Sequence, residues 1–254
     1  MTRCFRAGFF LIVPLTLSVG SAARACIPLG GTEPPCAAYW KADAVFVGVV
    51  FEMSKAPRES NEIFDKLLVR FAVDKAYRGI DGAEVEVSTI SGTECDMKIQ
   101  EGEKWLVYAH RNSTTGRLEV WARTTLYSNA DEDLTYFSSL AETNHEASII
   151  GRVFDHPYTP MPGIQIEIRG NGLKYQESTD KEGQFQVAVK PGRYLVRGIF
   201  PANAIPLIAG GRLPSRIKES GPSPLVEYQI DIEPGRCEYI EFFAALRNSK
   251  SGQH

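Results

Sequence analysis

Residues 42–50 read ADAVFVGVV, an apolar run rich in β-branched residues that carries a single acid. A run of this length and composition is a core strand, and it commits the chain to a buried sheet from its start. The segment before it, residues 26–41, holds Cys26 and Cys36 together with Pro28, Pro34 and Pro35. A cysteine-pinned leader therefore feeds directly into the first core strand.

Residues 1–25 have the pattern of a secretory signal. Arg3 and Arg6 precede an apolar stretch, GFFLIVPLTLSV at 8–19, and Ala23-Arg24-Ala25 forms an A-x-A cleavage site. The stretch is too short to span a bilayer and is interrupted by Pro14. Cleavage after Ala25 makes Cys26 the mature N-terminus. A lipid anchor on Cys26 is disfavoured, because Ala23 and Arg24 stand where a lipobox needs Leu and a small residue. The expected protein is exported, secreted or periplasmic, with no transmembrane anchor. Of 254 residues, 43% are hydrophobic and 23% charged, the proportions of a globular chain. Removing the three arginines of the signal takes the formal net charge from −3 to −6, which argues against a nucleic-acid partner. In an oxidising compartment Cys26, Cys36, Cys95 and Cys237 are disulfide candidates, and their three connectivities are not distinguished by spacing.

Further strands are expected at 45–53, at 67–73 with Val69, Phe71 and Val73 inward, at 84–89, at 105–109 and at 118–122. One helix is expected at 131–140, with acids in its first turn and Leu134, Phe137 and Leu140 on one face. Five strands and a helix suit a small barrel. A polar linker at 142–147 leads to a second β-rich region at 148–246. There, strands at 149–154, 164–168, 226–232 and 237–245 are punctuated by Pro162-Gly163 and by a hairpin turn at 180–183 with Gly183 left-handed. Tyr194 is a core ring. Residues 201–224 form a Pro/Gly-rich insertion, read as a long functional or mobile loop. Residues 247–254 are a frayed tail.

The first region resembles the netrin-like N-terminal domain of the tissue inhibitors of metalloproteinases. The residues that carry the likeness are Asp43 to Val49 in the first strand, Tyr77 and Gly79, Cys95, Gly102 and Leu106 to Ala109, then Arg123-Thr124 and the final helix. Trp121 stands where that family has a cysteine, and Cys26-Ile27-Pro28 replaces its C-x-C opening. The second region resembles the carboxypeptidase regulatory-like domain over residues 149–198, with Pro162-Gly163, the TDKEGQF of 179–185 and the KPGRY of 190–194 in the family's order. The resemblances imply an all-β protein: an OB-type five-stranded barrel with a terminal helix over 26–141, and a prealbumin-like β-sandwich over 148–246. They also imply an inhibitory wedge, in which the α-amino group and carbonyl of Cys26 chelate a protease zinc, Ile27 enters the specificity pocket and Pro28 follows. Cys95 is expected to bond Cys26 or Cys36. The remaining N-terminal cysteine then bonds Cys237, tying the two regions together, or both stay free.

No enzymatic site is expected. There is no G-x-S-x-G and no phosphate-cradling glycine loop. His110, His145, His156 and His254 lack metal spacing, and Asp180-Lys181-Glu182-Gly183 lacks the alternation of a calcium loop. No cofactor is expected. The partner is a zinc metalloprotease or, as the alternative, another envelope or extracellular protein or glycan bound through the barrel face or the 201–224 segment.

Overall fold

The computed structural model describes residues 33–57, 64–93, 96–121, 123–140, 147–155, 158–208, 214–219 and 222–247. It is an all-β protein whose first half is a closed five-stranded barrel. A short helix, α1 (Pro35–Lys41), leads into β1 (Ala44–Lys55). Then come β2 (Asp65–Arg78), β3 (Glu84–Ser91), β4 (Lys104–Arg111), β5 (Leu118–Val120), β6 (Thr125–Leu126) and α2 (Asp131–Ser139). The strands run β1-β2-β3-β5-β4, and β4 pairs back onto β1 to close the barrel. The β3–β5 pairing is parallel; all others in this sheet are antiparallel.

The 44–50 part of β1 and most of β4 are buried on both faces, which explains their unbroken apolar runs. Phe46, Val50, Trp105 and Val107 point into the barrel beside Val69, Phe71 and Val87. Val45, Val47, Leu106 and Tyr108 point out, under Tyr39 of α1 and Phe137 of α2. Register shifts in the β1–β2 pairing bend these long strands round the barrel. Gly79 ends β2 at φ +65°, and a Cβ there would sit 1.9 Å from the Asp43 carbonyl oxygen. Only glycine lets the chain pass that closely.

The second half is a two-sheet sandwich. Its strands are β7 (Ala147–Asp155), β8 (Thr159–Pro160), β9 (Gln165–Gly170), β10 (Leu173–Ser178), β11 (Gln184–Val189), β12 (Gly192–Ile199), β13 (Ala204–Leu207), β14 (Arg216–Lys218), β15 (Leu225–Ile232) and β16 (Cys237–Leu246). One sheet is β10-β9-β12-β15-β14. The other is β11-β7-β16-β13 with β8 against β7. Ile149, Ile166, Ile168, Phe185, Tyr194, Val196 and Phe242 fill the space between them.

Two expectations are corrected, and one helix that was not expected is added. The proline-rich leader contains α1: Pro35 occupies its first turn, where a missing N–H leaves no bond unmade. The 180–183 turn is not a hairpin, because β10 and β11 belong to different sheets. Gly183 is left-handed at φ +71°, but the turn carries the chain from one sheet to the other. The described parts of the 201–224 insertion are not loop alone: β13 extends one sheet along β16, and β14 extends the other along β15. Short strands at sheet edges carry little alternation and escape sequence reading. The 142–147 linker falls largely outside the described residues, and the 247–254 tail does so beyond Arg247.

Candidate functional site

The leader enters the described structure at Glu33, in the seam between barrel and sandwich. Three groups of contacts hold it there. Cys36 on α1 is bonded to Cys237 at the start of β16, with S–S 2.01 Å and Cα–Cα 6.0 Å across 201 residues of sequence. Around this bond, Ala37 packs with Tyr239 and Ile150 of the sandwich. On a chain-entropy account a loop this long is stabilised by roughly 5 kcal/mol. Next, the Trp40 ring lies between two guanidinium groups, Arg78 of the barrel at 5.2 Å and Arg236 of the sandwich at 4.8 Å. Each such contact contributes about 0.5–1 kcal/mol.

The third group centres on Arg123. Its Nε and Nη2 donate to the Asp133 carboxylate at 2.6 and 3.1 Å, Nη2 also to Glu132 at 2.7 Å, and Nη1 to the Glu33 carbonyl at 2.5 Å. The buried Tyr108 hydroxyl donates to the same Asp133 carboxylate. Burial disfavours the charge on Arg123, but its bonds to Asp133 prevail and raise its pKa above the ordinary arginine value. Burial and then the Asp133 charge likewise push the Tyr108 hydroxyl up, keeping it a neutral donor. Thr124 completes the arrangement: its hydroxyl accepts from the Tyr108 N–H at 2.9 Å and donates to the Tyr108 carbonyl at 3.0 Å. The Arg123-Thr124 pair therefore fixes α2 and the leader to β4.

Of the expected site residues, Cys36 and Cys237 are brought together. Cys26, Ile27, Pro28 and Cys95 lie outside the described residues. The bond between Cys36 and Cys237 removes Cys36 as a partner for Cys95. Thr93 and Asp96, on either side of the Glu94-Cys95 pair, each carry a buried oxygen with no hydrogen-bond partner among the described residues, Oγ1 and Oδ1 respectively. His110 packs on the Trp121 ring at 3.5 Å between centroids. Burial lowers the His110 pKa, and Asp43, 3.8 Å away, opposes that. His145, His156 and His254 lie outside the described residues. Asp180 Oδ1 accepts from the Glu182 and Gln184 N–H groups at 3.0 and 2.8 Å, the work of a turn residue. Among the described residues no three potential ligands gather as a metal site, and no helix is long and apolar enough to cross a membrane.

The Arg123–Asp133–Tyr108 cluster was missed in the sequence. Its signal was present, since Arg123 stands ten residues before Asp133, but helix-dipole preference already explained the acids. A cavity of about 150 Å³ also opens in the seam, with Glu33, Arg123 and Glu132 on one wall and Arg152, Gln184 and Tyr239 on the other.

No protein-family model matches the chain, and no curated protein matches it. Among solved structures, a dioxygenase domain from Streptomyces sp. SirexAA-E aligns at 12% identity and TM-score 0.25, over 41% of this chain and 82% of that one. A DUF3823 family protein from Parabacteroides merdae aligns at 10% identity and TM-score 0.26, over 41% and 47%. The Bacillus anthracis TIE protein aligns at 12% identity and TM-score 0.31, over 81% and 35%. Likeness this slight says nothing of activity.

Proposed function

We propose that this chain is an exported, non-catalytic binding protein that presents its mature N-terminus as a wedge to a zinc metalloprotease. The observation that supports it best is the Cys36–Cys237 bond. After signal removal four cysteines remain, so this bond leaves Cys26 as the only partner within the chain for Cys95. A Cys26–Cys95 bond would hold the terminal residue rigid and spare entropy on binding. The free α-amine and adjacent carbonyl of Cys26 form a five-membered chelate suited to the open position of a catalytic zinc. Ile27 would then fill the protease's specificity pocket, with Pro28 stiffening the exit. The anchorage of Glu33 by Arg123, and of α1 by Cys237, supports a leader held at its base. The barrel topology, with α2 locked by Arg123-Thr124, is consistent with the netrin-like resemblance.

The test uses mature protein beginning at Cys26 against a panel of zinc metalloproteases. Inhibition is expected at micromolar concentration or below, and one alanine added before Cys26 should abolish it. Inhibition that survives the added alanine rules out the chelating wedge.

A second reading is an interaction module without a protease target, acting through the barrel surface. It is favoured by exposed apolar side chains about β1, β2 and β3: Phe51 (40% exposed), Phe64 (49%) and Ile90 (44%). If the mature protein leaves every zinc protease uninhibited, this reading stands, and a Phe51→Ser, Ile90→Ser variant tests it by loss of partner retention.

A further inference from the structure

The seam cavity has walls of opposite character. On the sandwich side, Arg152 of β7 and Gln184 of β11 are opposite each other in the sheet register. Neither side chain makes a hydrogen bond or ion pair with any described residue. Tyr239 of β16 lines the same wall, its hydroxyl donating to Glu241 at 2.9 Å. Arg152 also stands opposite Glu241 in the β7–β16 register, so this wall offers N–H donors unused by any described residue and a guanidinium with one carboxylate beside it. On the barrel side, Glu33 uses one carboxylate oxygen on Lys41 and Glu132 uses one on Arg123. Each keeps its second oxygen as an acceptor. Arg123 spends four of its five N–H groups on Asp133, Glu132 and the Glu33 carbonyl, so it mainly braces the wall and keeps a single Nη1–H.

We propose that the seam binds a small zwitterion of the α-amino acid class. Its carboxylate lies against Arg152 and Gln184, and its ammonium faces the free oxygens of Glu132 and Glu33. A guanidinium is the group best shaped to take a carboxylate through two parallel hydrogen bonds. A simple anion meets the two carboxylates, and a simple amine meets Arg152; only a ligand bearing both charges matches both walls. A cavity of 150 Å³ has room for a ligand about the size of benzene, that is, for alanine's six non-hydrogen atoms. Pockets between domains are a common place for such ligands. Because one wall belongs to each half of the molecule, the bound zwitterion bridges them and raises the stability of the joint. The inference stands apart from the N-terminal wedge.

The test is calorimetric titration of the full chain, disulfide intact, with L-alanine, acetate and ethylammonium, together with melting temperatures. Alanine should bind about tenfold more tightly than either single-charge analogue, as expected for two charge-assisted contacts over one. Alanine should also raise the melting temperature. Arg152→Gln should weaken alanine and acetate alike, with the unliganded melting temperature unchanged. Glu132→Gln should weaken alanine and ethylammonium but not acetate. The absence of saturable alanine binding at millimolar concentration overturns the proposal. So does acetate binding as tightly as alanine, or alanine affinity indifferent to Arg152→Gln.

Discussion

The barrel and the sandwich place their charges differently. In the barrel, Arg123 and Asp133 are inside, with side-chain exposures of 14% and 5%, and each depends on the other. In the sandwich, charges lie in a cross-strand row on the outer face of the β9, β12 and β15 sheet. Arg197 sits between Glu167 and Glu227, and Glu167 is also reached by Arg169 at 2.9 Å and Lys174 at 3.5 Å. Asp133 has no buried substitute when it is lost, whereas Arg197 has two carboxylates of low exposure, Glu227 and Glu167, to share. The barrel's polar interaction specifies where α2 and the leader sit. The sandwich's row decorates a sheet that its apolar core already defines.

The largest effect should come from cutting the link between the two regions. Cys36→Ser with Cys237→Ser is expected to cost roughly 5 kcal/mol and to split one unfolding transition into two, read by calorimetry. Next, Asp133→Ala takes the buried carboxylate from both Arg123 and the Tyr108 hydroxyl and leaves Arg123 only Glu132, whose side chain is 72% exposed. In the Cys36→Ser, Cys237→Ser background, used for this and the next variant, it should cost about 3–5 kcal/mol, confined to the barrel transition in denaturant unfolding. Glu227→Ala sharpens the contrast: Arg197 keeps Glu167 within 3.9 Å, so the loss should be about 1–2 kcal/mol and appear in the sandwich transition. Equal losses for Asp133→Ala and Glu227→Ala would erase the distinction drawn between the two regions.

The smallest effect concerns pH. Burial tends to raise the Glu167 pKa, but Lys174 and Arg169 prevail and lower it below the ordinary glutamate value of 4.5. Below 4.5 the unfolded chain therefore binds this proton more readily than the folded one, and stability rises with pH through that window. The contribution is complete above 4.5 and lost as pH falls through the folded value. Glu167→Gln should flatten the acid limb of the stability profile, with little change near neutrality.

Much of this architecture was legible because burial left a pattern. The run at 42–50 announced β1, and the strand expected at 164–168 is β9, with Ile166 and Ile168 buried. Val69 and Phe71 were rightly set in the barrel core, as was Tyr194 in the sandwich. The failures share a cause. The strands β13 and β14 have three or four residues and one neighbour each, so pairing rather than composition makes them strands. Helix α1 is a single short piece hidden in a proline-rich leader, held by contacts with β16 and α2 that lie far away in sequence. The role of Arg123 depends on Asp133 turning inward, which a helix-dipole argument does not predict. A surface turn and a sheet crossover look alike in sequence, and the 180–183 segment was assigned to the wrong one.

The bond between Cys36 and Cys237 also sets an order of events during synthesis. Cys36 emerges 201 residues before the residue it must bond. At about 5–20 residues per second this is an interval of about 10–40 s. By its end Cys4, Cys26 and Cys95 have been made as well. An oxidant acting in order of emergence would join Cys36 to one of them and leave Cys237 without its mate. Correct maturation thus calls either for oxidation delayed until the last strand is complete, or for a thiol–disulfide isomerase that reopens the early bond. The yield of native protein should follow the supply of that shuffling activity more closely than the supply of oxidant.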